Sequence, residues 1–223
     1  MALRGISVVL ADDDPIVRAS VNTVLAADGR FDVVAQAADG QGAAVAARRH
    51  RPDVALLDIR MAAREDGLDA AEALRAQLPN TAVVLLTTFG EDAYVDRALR
   101  IGVAGFLLKS GDPATLTDGL AAAAAGGACL SPIVAARLIR HLAGGLGARP
   151  VDRPAVLDSL TPRERDVLVA IARGLSNAEV AATLHLTEGT VKGYVSALFD
   201  RLGVRNRVEA AVLAHTAGLV PQG

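Results

Sequence analysis

Short apolar runs alternate with helical patterns through the first 125 residues, and this order constrains the fold more than any single motif does. Ile6 to Ala11, Asp53 to Leu57, Ala82 to Leu86 and Gly105 to Leu108 are continuous and largely branched or leucine-rich, as strands covered on both faces are. Phe31 to Ala37 is a weaker fifth strand. Between and after them, Ile16 to Ala27, Gln41 to Arg49, Leu68 to Gln77, Ala93 to Ile101 and Pro113 to Ala125 carry helical spacing. Pro15 suits a first helical turn, where its missing amide proton costs little. Strand and helix units joined by right-handed crossovers predict an α/β fold: a five-stranded, doubly wound parallel sheet with helices on both faces.

The rhythm breaks between residues 126 and 158, where Gly126, Gly127, Gly144, Gly145, Gly147, Pro150 and Pro154 flank a helical stretch from Ile133 to Leu142. Glycines ease bending and prolines stop helices, so this is a hinge or, alternatively, a long surface loop. The hinge reading divides the chain into domains at 1–126 and 158–223 with a partly helical linker at 127–157. After Ser159 only helical segments remain: Pro162 to Arg173, Asn177 to Leu184, Glu188 to Leu202 and Arg207 to Ala217. Thr161, Pro162 and Glu164 have capping-box spacing, Ser176 precedes the second segment, and Thr187 or Thr190 starts the third. These segments predict an all-α, four-helix C-terminal domain containing a helix-turn-helix.

Composition narrows the setting. With 52% apolar residues in 223, the chain can bury a core and is not a disordered sequence. Cys129 is the single cysteine, which excludes an internal disulfide and a multi-thiolate metal site. The apolar start is interrupted by Asp12, Asp13 and Asp14 before any cleavage pattern, and no uncharged apolar stretch of about 18 residues occurs. A cytoplasmic protein without a membrane partner is expected. Residues 1–129 hold 12 Lys and Arg against 17 Asp and Glu, whereas residues 130–223 hold 11 against 8. The second part therefore meets a phosphate backbone with less repulsion than the first.

Asp12 and Asp13 follow the first strand, and Asp58 follows the third. The C-terminal ends of parallel strands share one crevice, so these carboxylates converge despite their separation. Crowded carboxylates repel unless a cation joins them, and hard oxygen ligands suit Mg²⁺, with the backbone carbonyl of Arg60 and water completing the set. Thr87 and Lys109 reach the same rim from the fourth and fifth strands. Such a rim can take a phosphoryl group, with Asp58 as nucleophile, Asp12 and Asp13 on the ion, Lys109 against the phosphoryl oxygens and Thr87 donating a hydrogen bond. Taken singly, the aspartates are also a helix-terminal acidic cap, Lys109 a surface charge, Thr87 an ordinary strand end and Phe106 a core aromatic.

The segments ADDDP (11–15), LLDIRM (56–61), LLTTF (85–89) and GFLLKS (105–110) together resemble a response-regulator receiver domain over residues 5–125. The resemblance implies that Asp12 and Asp13 bind the metal, Asp58 accepts phosphoryl, Thr87 and Phe106 are the switch pair, and Lys109 contacts the phosphate. Two departures stand out: Asp14 replaces a histidine common in the related subfamily, and Ala62, within MAAREDG (61–67), replaces a proline in a loop one residue longer than usual.

The second part resembles a LuxR/NarL-type DNA-binding domain through LTPRERDVL (160–168), ARGLSNAEVAATL (172–184) and LTEGTVKGYVSALFDRLGVRNRVEAA (186–211). The resemblance makes Glu188 to Arg201 the recognition helix, supported by Asn177 to Leu184. Val191, Val195, Leu198 and Leu202 then face the core, while Lys192 and Ser196 project together beside Gly193. Thr190 and Tyr194 are candidate phosphate donors, and Arg201, Arg205 and Arg207 candidate flank anchors. Each has a plainer role: Lys192 on a solvated face, Tyr194 in partial packing, the arginines in intrachain pairs, and Glu164 in a cap. Val208, Ala211, Val212, His215 and Leu219 form a stripe that is either a dimer contact or the closure of the domain's own core.

These readings combine into a phosphorylation-dependent transcription regulator. Its implied partners are a sensor histidine kinase, double-stranded DNA and a second copy of the chain, with RNA polymerase admitted as a further one. The alternatives are a phosphorylation-independent DNA-binding regulator, a Mg²⁺-dependent phosphohydrolase and a module that only sequesters a protein partner.

Overall fold

A computed structural model describes residues 5–61, 66–88, 92–130 and 153–220. The first unit runs β1 (Ile6–Ala11), α1 (Pro15–Asp28), β2 (Phe31–Ala37), α2 (Gly40–His50), β3 (Val54–Asp58), α3 (Asp66–Gln77), β4 (Ala82–Thr87), α4 (Asp92–Ile101), β5 (Gly105–Leu108), α5 (Pro113–Ala124) and β6 (Cys129–Leu130). The strands are parallel and ordered β2-β1-β3-β4-β5-β6, so the direction of winding reverses between β1 and β3. That reversal opens a crevice at the C-terminal strand ends, where Asp12 and Asp58 lie.

Alternation along the strands builds two cores. Val8, Leu10, Leu56, Val84, Leu86 and Leu107 pack with Val21, Leu25, Leu120 and Ala123. Ala55, Leu57, Val83, Leu85 and Phe106 pack with Ala43, Ala47, Leu68, Ala71, Leu74 and Leu99. Aspartates start three of the flanking helices by accepting backbone N–H bonds: Asp14 from Ile16, Asp39 from Gly42 and Asp112 from Thr115. Asp14 is thus a helix cap.

Among the described residues six strands, rather than the five expected, make the sheet. The sixth has only two residues, too few to leave a periodic signal, and pairs Cys129 with Gly105 and Leu130 with Phe106. Gly126, at φ 79°, turns the chain back after α5. Gly105 admits the close approach, since a Cβ there would sit 1.9 Å from the Cys129 carbonyl oxygen. Asp53 precedes β3 instead of starting it, and its carboxylate binds the Ser7 amide and hydroxyl at 2.8 and 2.6 Å. The expected helix from Ile133 to Leu142, the glycines at 144, 145 and 147, Pro150, Ala62 and Phe89 lie outside the described residues.

The second unit contains α6 (Arg153–Asp158), α7 (Pro162–Ala172), α8 (Asn177–Leu184), α9 (Glu188–Leu202) and α10 (Arg207–Thr216). The short α6 is an addition to the four expected helices. Thr161 with Glu164 and Ser176 with Glu179 form full capping boxes, and Thr187 caps α9. Val167, Leu168, Ile171, Val180, Val191, Leu198, Leu202, Ala210, Ala211 and Ala214 form the core, with Val195 partly buried against it.

Helix α10 joins the two units. Val208 and Val212 belong to the cluster that contains Leu99, Val103 and Phe106 of the first unit. Beside them the buried Asn206 amide donates to the Leu99 carbonyl at 2.7 Å. Ala211 lies in the helical core, and His215 Nε2 is 3.0 Å from the Ala172 carbonyl. The stripe read as a candidate dimer contact is therefore covered by the chain itself, because its apolar side chains find partners on α4 and within the bundle.

Candidate functional site

Asp12 and Asp58 are almost wholly buried, Asp13 is exposed, and one carboxylate oxygen from each lies within 4.8 Å of the others. Lys109 Nζ is 2.8 Å from Asp12 Oδ2 and 2.9 Å from Asp58 Oδ2. Asp12 Oδ1 accepts from the Asp14 amide at 2.9 Å, and Asp12 Oδ2 has the Lys109 ion pair but no hydrogen bond beyond it. Arg18, one turn into α1, donates to the Asp12 carbonyl at 2.5 Å.

Burial pushes the Asp58 carboxyl up to about 6; Lys109 opposes that shift, Asp12 adds to it, and the Arg60 backbone amide lowers it. Burial by itself would lower the pKa of Lys109, but its bonds to Asp12 and Asp58 outweigh burial and raise it. The lysine therefore stays charged between two carboxylates. The donor set fits Mg²⁺: three hard carboxylates converge against one ammonium, and the buried Asp12 Oδ2 is met by that ammonium alone. Arg60, the fourth ligand expected from the sequence, follows β3 by two residues.

Thr87 ends β4, is buried, and donates its hydroxyl to the Thr88 carbonyl at 3.0 Å. Phe106 is 1% exposed and lies on β5 between Leu85 of β4 and Leu130 of β6.

On α9, Thr190, Lys192, Gly193 and Ser196 are exposed and Tyr194 is half-buried against the bundle. The Thr190 hydroxyl is 2.9 Å from that of Thr187. Lys192 Nζ pairs with Glu188 Oε1 at 3.2 Å.

All three arginines have partners within the chain, and only Arg207 is buried by them. Arg201 binds both Glu164 oxygens at 2.9 Å and the Ser159 carbonyl at 2.8 Å. Arg205 binds Glu209 Oε1 at 2.7 Å while its side chain remains 51% exposed. Arg207 points inward, bonding Asn177 Oδ1 at 2.9 Å and the Leu175 carbonyl, and burial pulls its pKa down to about 10 against the opposing charge of Glu179. As a flank anchor Arg207 is corrected: the α8 start and the preceding turn offer it buried acceptors, and its guanidinium satisfies them instead of meeting solvent.

Sequence reasoning passed over Arg18, Glu188, Asn206 and the Asp66–Gly67 pair. Asp66 Oδ2 accepts from the Gly40 amide at 2.6 Å, and a Cβ on Gly67 would lie 1.8 Å from the Asp58 carbonyl oxygen. The i,i+4 spacing of Glu188 and Lys192 was a readable signal. The other contacts join residues distant in sequence or, for Arg18, depend on how α1 leans on β1.

Two families match the chain: "Response regulator receiver domain" over residues 8–121 and "Bacterial regulatory proteins, luxR family" over residues 158–214. The transcriptional regulatory protein LnrK of Bacillus subtilis is 34% identical over 217 residues, covering 96% of this chain and 98% of its own. The response regulator ChrA of a heme-sensing two-component system is 33% identical, with a TM-score of 0.54 over 97% of this chain and 100% of its own. RcsB from Salmonella enterica serovar Typhimurium, solved bound to the promoter P1flhDC in the presence of the phosphomimetic BeF3-, is 25% identical, with a TM-score of 0.53 over 95% of this chain and 100% of its own. The acidic pocket lies in the first matched segment and the exposed helix α9 in the second. With both segments in this order in one chain, the protein belongs to the NarL/FixJ-type two-component response regulators, which join a receiver domain to a LuxR-type helix-turn-helix.

Proposed function

We propose that Asp58 accepts a phosphoryl group from a sensor histidine kinase in the cytoplasm, with Mg²⁺ held by Asp12, Asp13, Asp58 and the Arg60 carbonyl, and that the phosphorylated chain regulates transcription as a homodimer on DNA. The receiver is assigned to 1–126, the linker to 127–157 and the DNA-binding domain to 158–223, the linker lending β6 to the receiver sheet and most of α6 to the helical unit. The observation that carries this reading is the Lys109 ammonium bridging Asp12 and Asp58 at 2.8 and 2.9 Å. It holds a cation on the candidate nucleophile beside an acidic pair that a second cation would balance.

An Asp58 oxygen attacks phosphorus as the donor's bond to its leaving group breaks, leaving an acyl phosphate on the protein. With its pKa at about 6 the carboxyl is mainly ionised near neutral pH, so no general base is required. When bound, Mg²⁺ offsets charge on the transferring phosphoryl oxygens. Lys109 neutralises the same group from the other side, and the Thr87 hydroxyl reaches a phosphoryl oxygen only by giving up its bond to Thr88.

The exposed face of α9 meets the major groove through Lys192, Gly193 and Ser196, with Thr190 and Tyr194 toward the phosphates and Arg205 and Arg201 at the flank. A homodimer built on α10 competes with this chain's own receiver for Val208 and Val212. Phosphorylation favours that dimer if it weakens the contact of Asn206 with α4, the helix that follows Thr87. The likeness to promoter-bound RcsB supports DNA as partner.

Footprinting of the full chain with and without acetyl phosphate and Mg²⁺, beside Asp58→Ala, tests the reading. A specific footprint that the donor strengthens only when Asp58 is present is the expected result. An equal response from the variant would refute the phosphoaspartate mechanism.

A further inference from the structure

We infer that Glu188 is a specificity-determining residue which, with Lys192, reads a G·C base pair in the major groove. The inference rests on the DNA-binding reading of α9.

Both residues lie in the N-terminal part of α9, the part of a recognition helix that meets base edges. Their side chains are 52% and 64% exposed, and Oε1 and Nζ lie 3.2 Å apart. Around them the face is low. Gly189 and Gly193 carry no side chain, Ser196 and Ala197 carry short ones, and a Cβ on Gly193 would meet nothing within 4 Å. The helix backbone can thus approach the groove floor with this carboxylate and this ammonium leading.

The pair matches one base-pair edge. Guanine presents two neighbouring acceptors, N7 and O6, and its cytosine presents the adjoining N4 donor. An ammonium has three N–H groups and takes both acceptors, while the carboxylate beside it accepts from N4, so every polar group on that edge is met. On an A·T edge the single donor stands between two acceptors. A side-by-side cation and carboxylate then leave one acceptor unmet and press the carboxylate toward the thymine methyl.

The plainer account is an i,i+4 pair that only stabilises the helix, with the carboxylate repelling phosphates. The two accounts differ in sequence preference. Wild type, Glu188→Ala and Glu188→Gln full-length proteins, each treated with acetyl phosphate and Mg²⁺, are taken through selection from a random duplex library. Affinities are then measured for enriched sites with a single base pair exchanged, and circular dichroism confirms that the variants keep their helices.

Wild type is expected to require G·C at one position of each half-site, with about tenfold weaker binding to A·T there. Glu188→Ala loses that discrimination at that position alone, and Glu188→Gln moves it toward A·T, since an amide both donates to and accepts from adenine. Unchanged preferences with a uniform rise in affinity overturn the assignment while leaving α9 a DNA-binding helix. A wild-type chain that enriches no sequence overturns the DNA-binding reading, and this inference with it.

Discussion

The side-chain amide of Asn206, which caps α10, donates to the main-chain carbonyl of Leu99 in the last turn of α4, 107 residues earlier. Its oxygen meanwhile accepts from the Glu209 amide at 2.9 Å. One side chain thus starts a helix of the DNA-binding unit and holds it to the receiver.

The two roles of Asn206 can be separated by substitution. Asn206→Asp keeps the acceptor for the Glu209 amide but sets a carboxylate against the Leu99 carbonyl; Asn206→Ala loses both bonds. Each should lower stability by about 1–3 kcal/mol. Small-angle scattering should find Asn206→Asp the more extended of the two. Unchanged dimensions for both variants would show that the amide does not hold the units together.

Asp58 should make the unphosphorylated protein sensitive to pH. Its folded-state pKa, about 6, lies above the ordinary carboxyl value of 3.8, so the native state binds the proton more tightly than the unfolded one. That stabilisation is complete below about pH 4 and is lost as the pH rises through about 6. In EDTA, Asp58→Asn should exceed wild type in stability at neutral pH by on the order of 2–3 kcal/mol, and the gap should close toward pH 4. Urea unfolding across this range measures it, and a gap that widens on acidification would contradict the burial argument.

Lys109→Ala leaves two buried carboxylates facing each other without their cation. Losing one member of such a buried group should cost about 3 kcal/mol or more in EDTA. Added Mg²⁺ replaces part of the missing charge and stabilises the form that binds it. Thermal melts should therefore show a larger Mg²⁺-induced rise in Tm for the variant than for wild type.

Gly67 admits α3 to the end of the strand that carries Asp58. A methyl group there meets the Asp58 carbonyl oxygen at 1.8 Å, so backbone has to move. Gly67→Ala should slow phosphorylation by acetyl phosphate and lower stability together. A variant with the wild-type rate would show that this approach has no hold on the nucleophile.

Arg207→Ala should destabilise the helical unit by removing its bonds to Asn177 and Leu175, yet leave the salt dependence of DNA binding unchanged. Loss of a true phosphate contact would reduce the slope of log affinity against log salt by about 0.9. Titrations at several salt concentrations distinguish these outcomes.

The amino-acid sequence by itself determined the order of β1 to β5 and of the helices α1 to α5 and α7 to α10, the caps at Thr161 and Ser176, and the meeting of Asp12, Asp13, Asp58 and Lys109. Caps and helical faces depend on neighbours a few residues away. Parallel strands bring their ends to one rim, so a carboxylate just past a strand has its place set by pattern alone. Only the tertiary structure decided that Val208 and Val212 are buried against the receiver, that Arg207 turns inward, and that Cys129 and Leu130 add a sixth strand. An apolar stripe records that it must be covered but not by what. The partner is chosen when two separately folded units dock, and no local periodicity carries that choice.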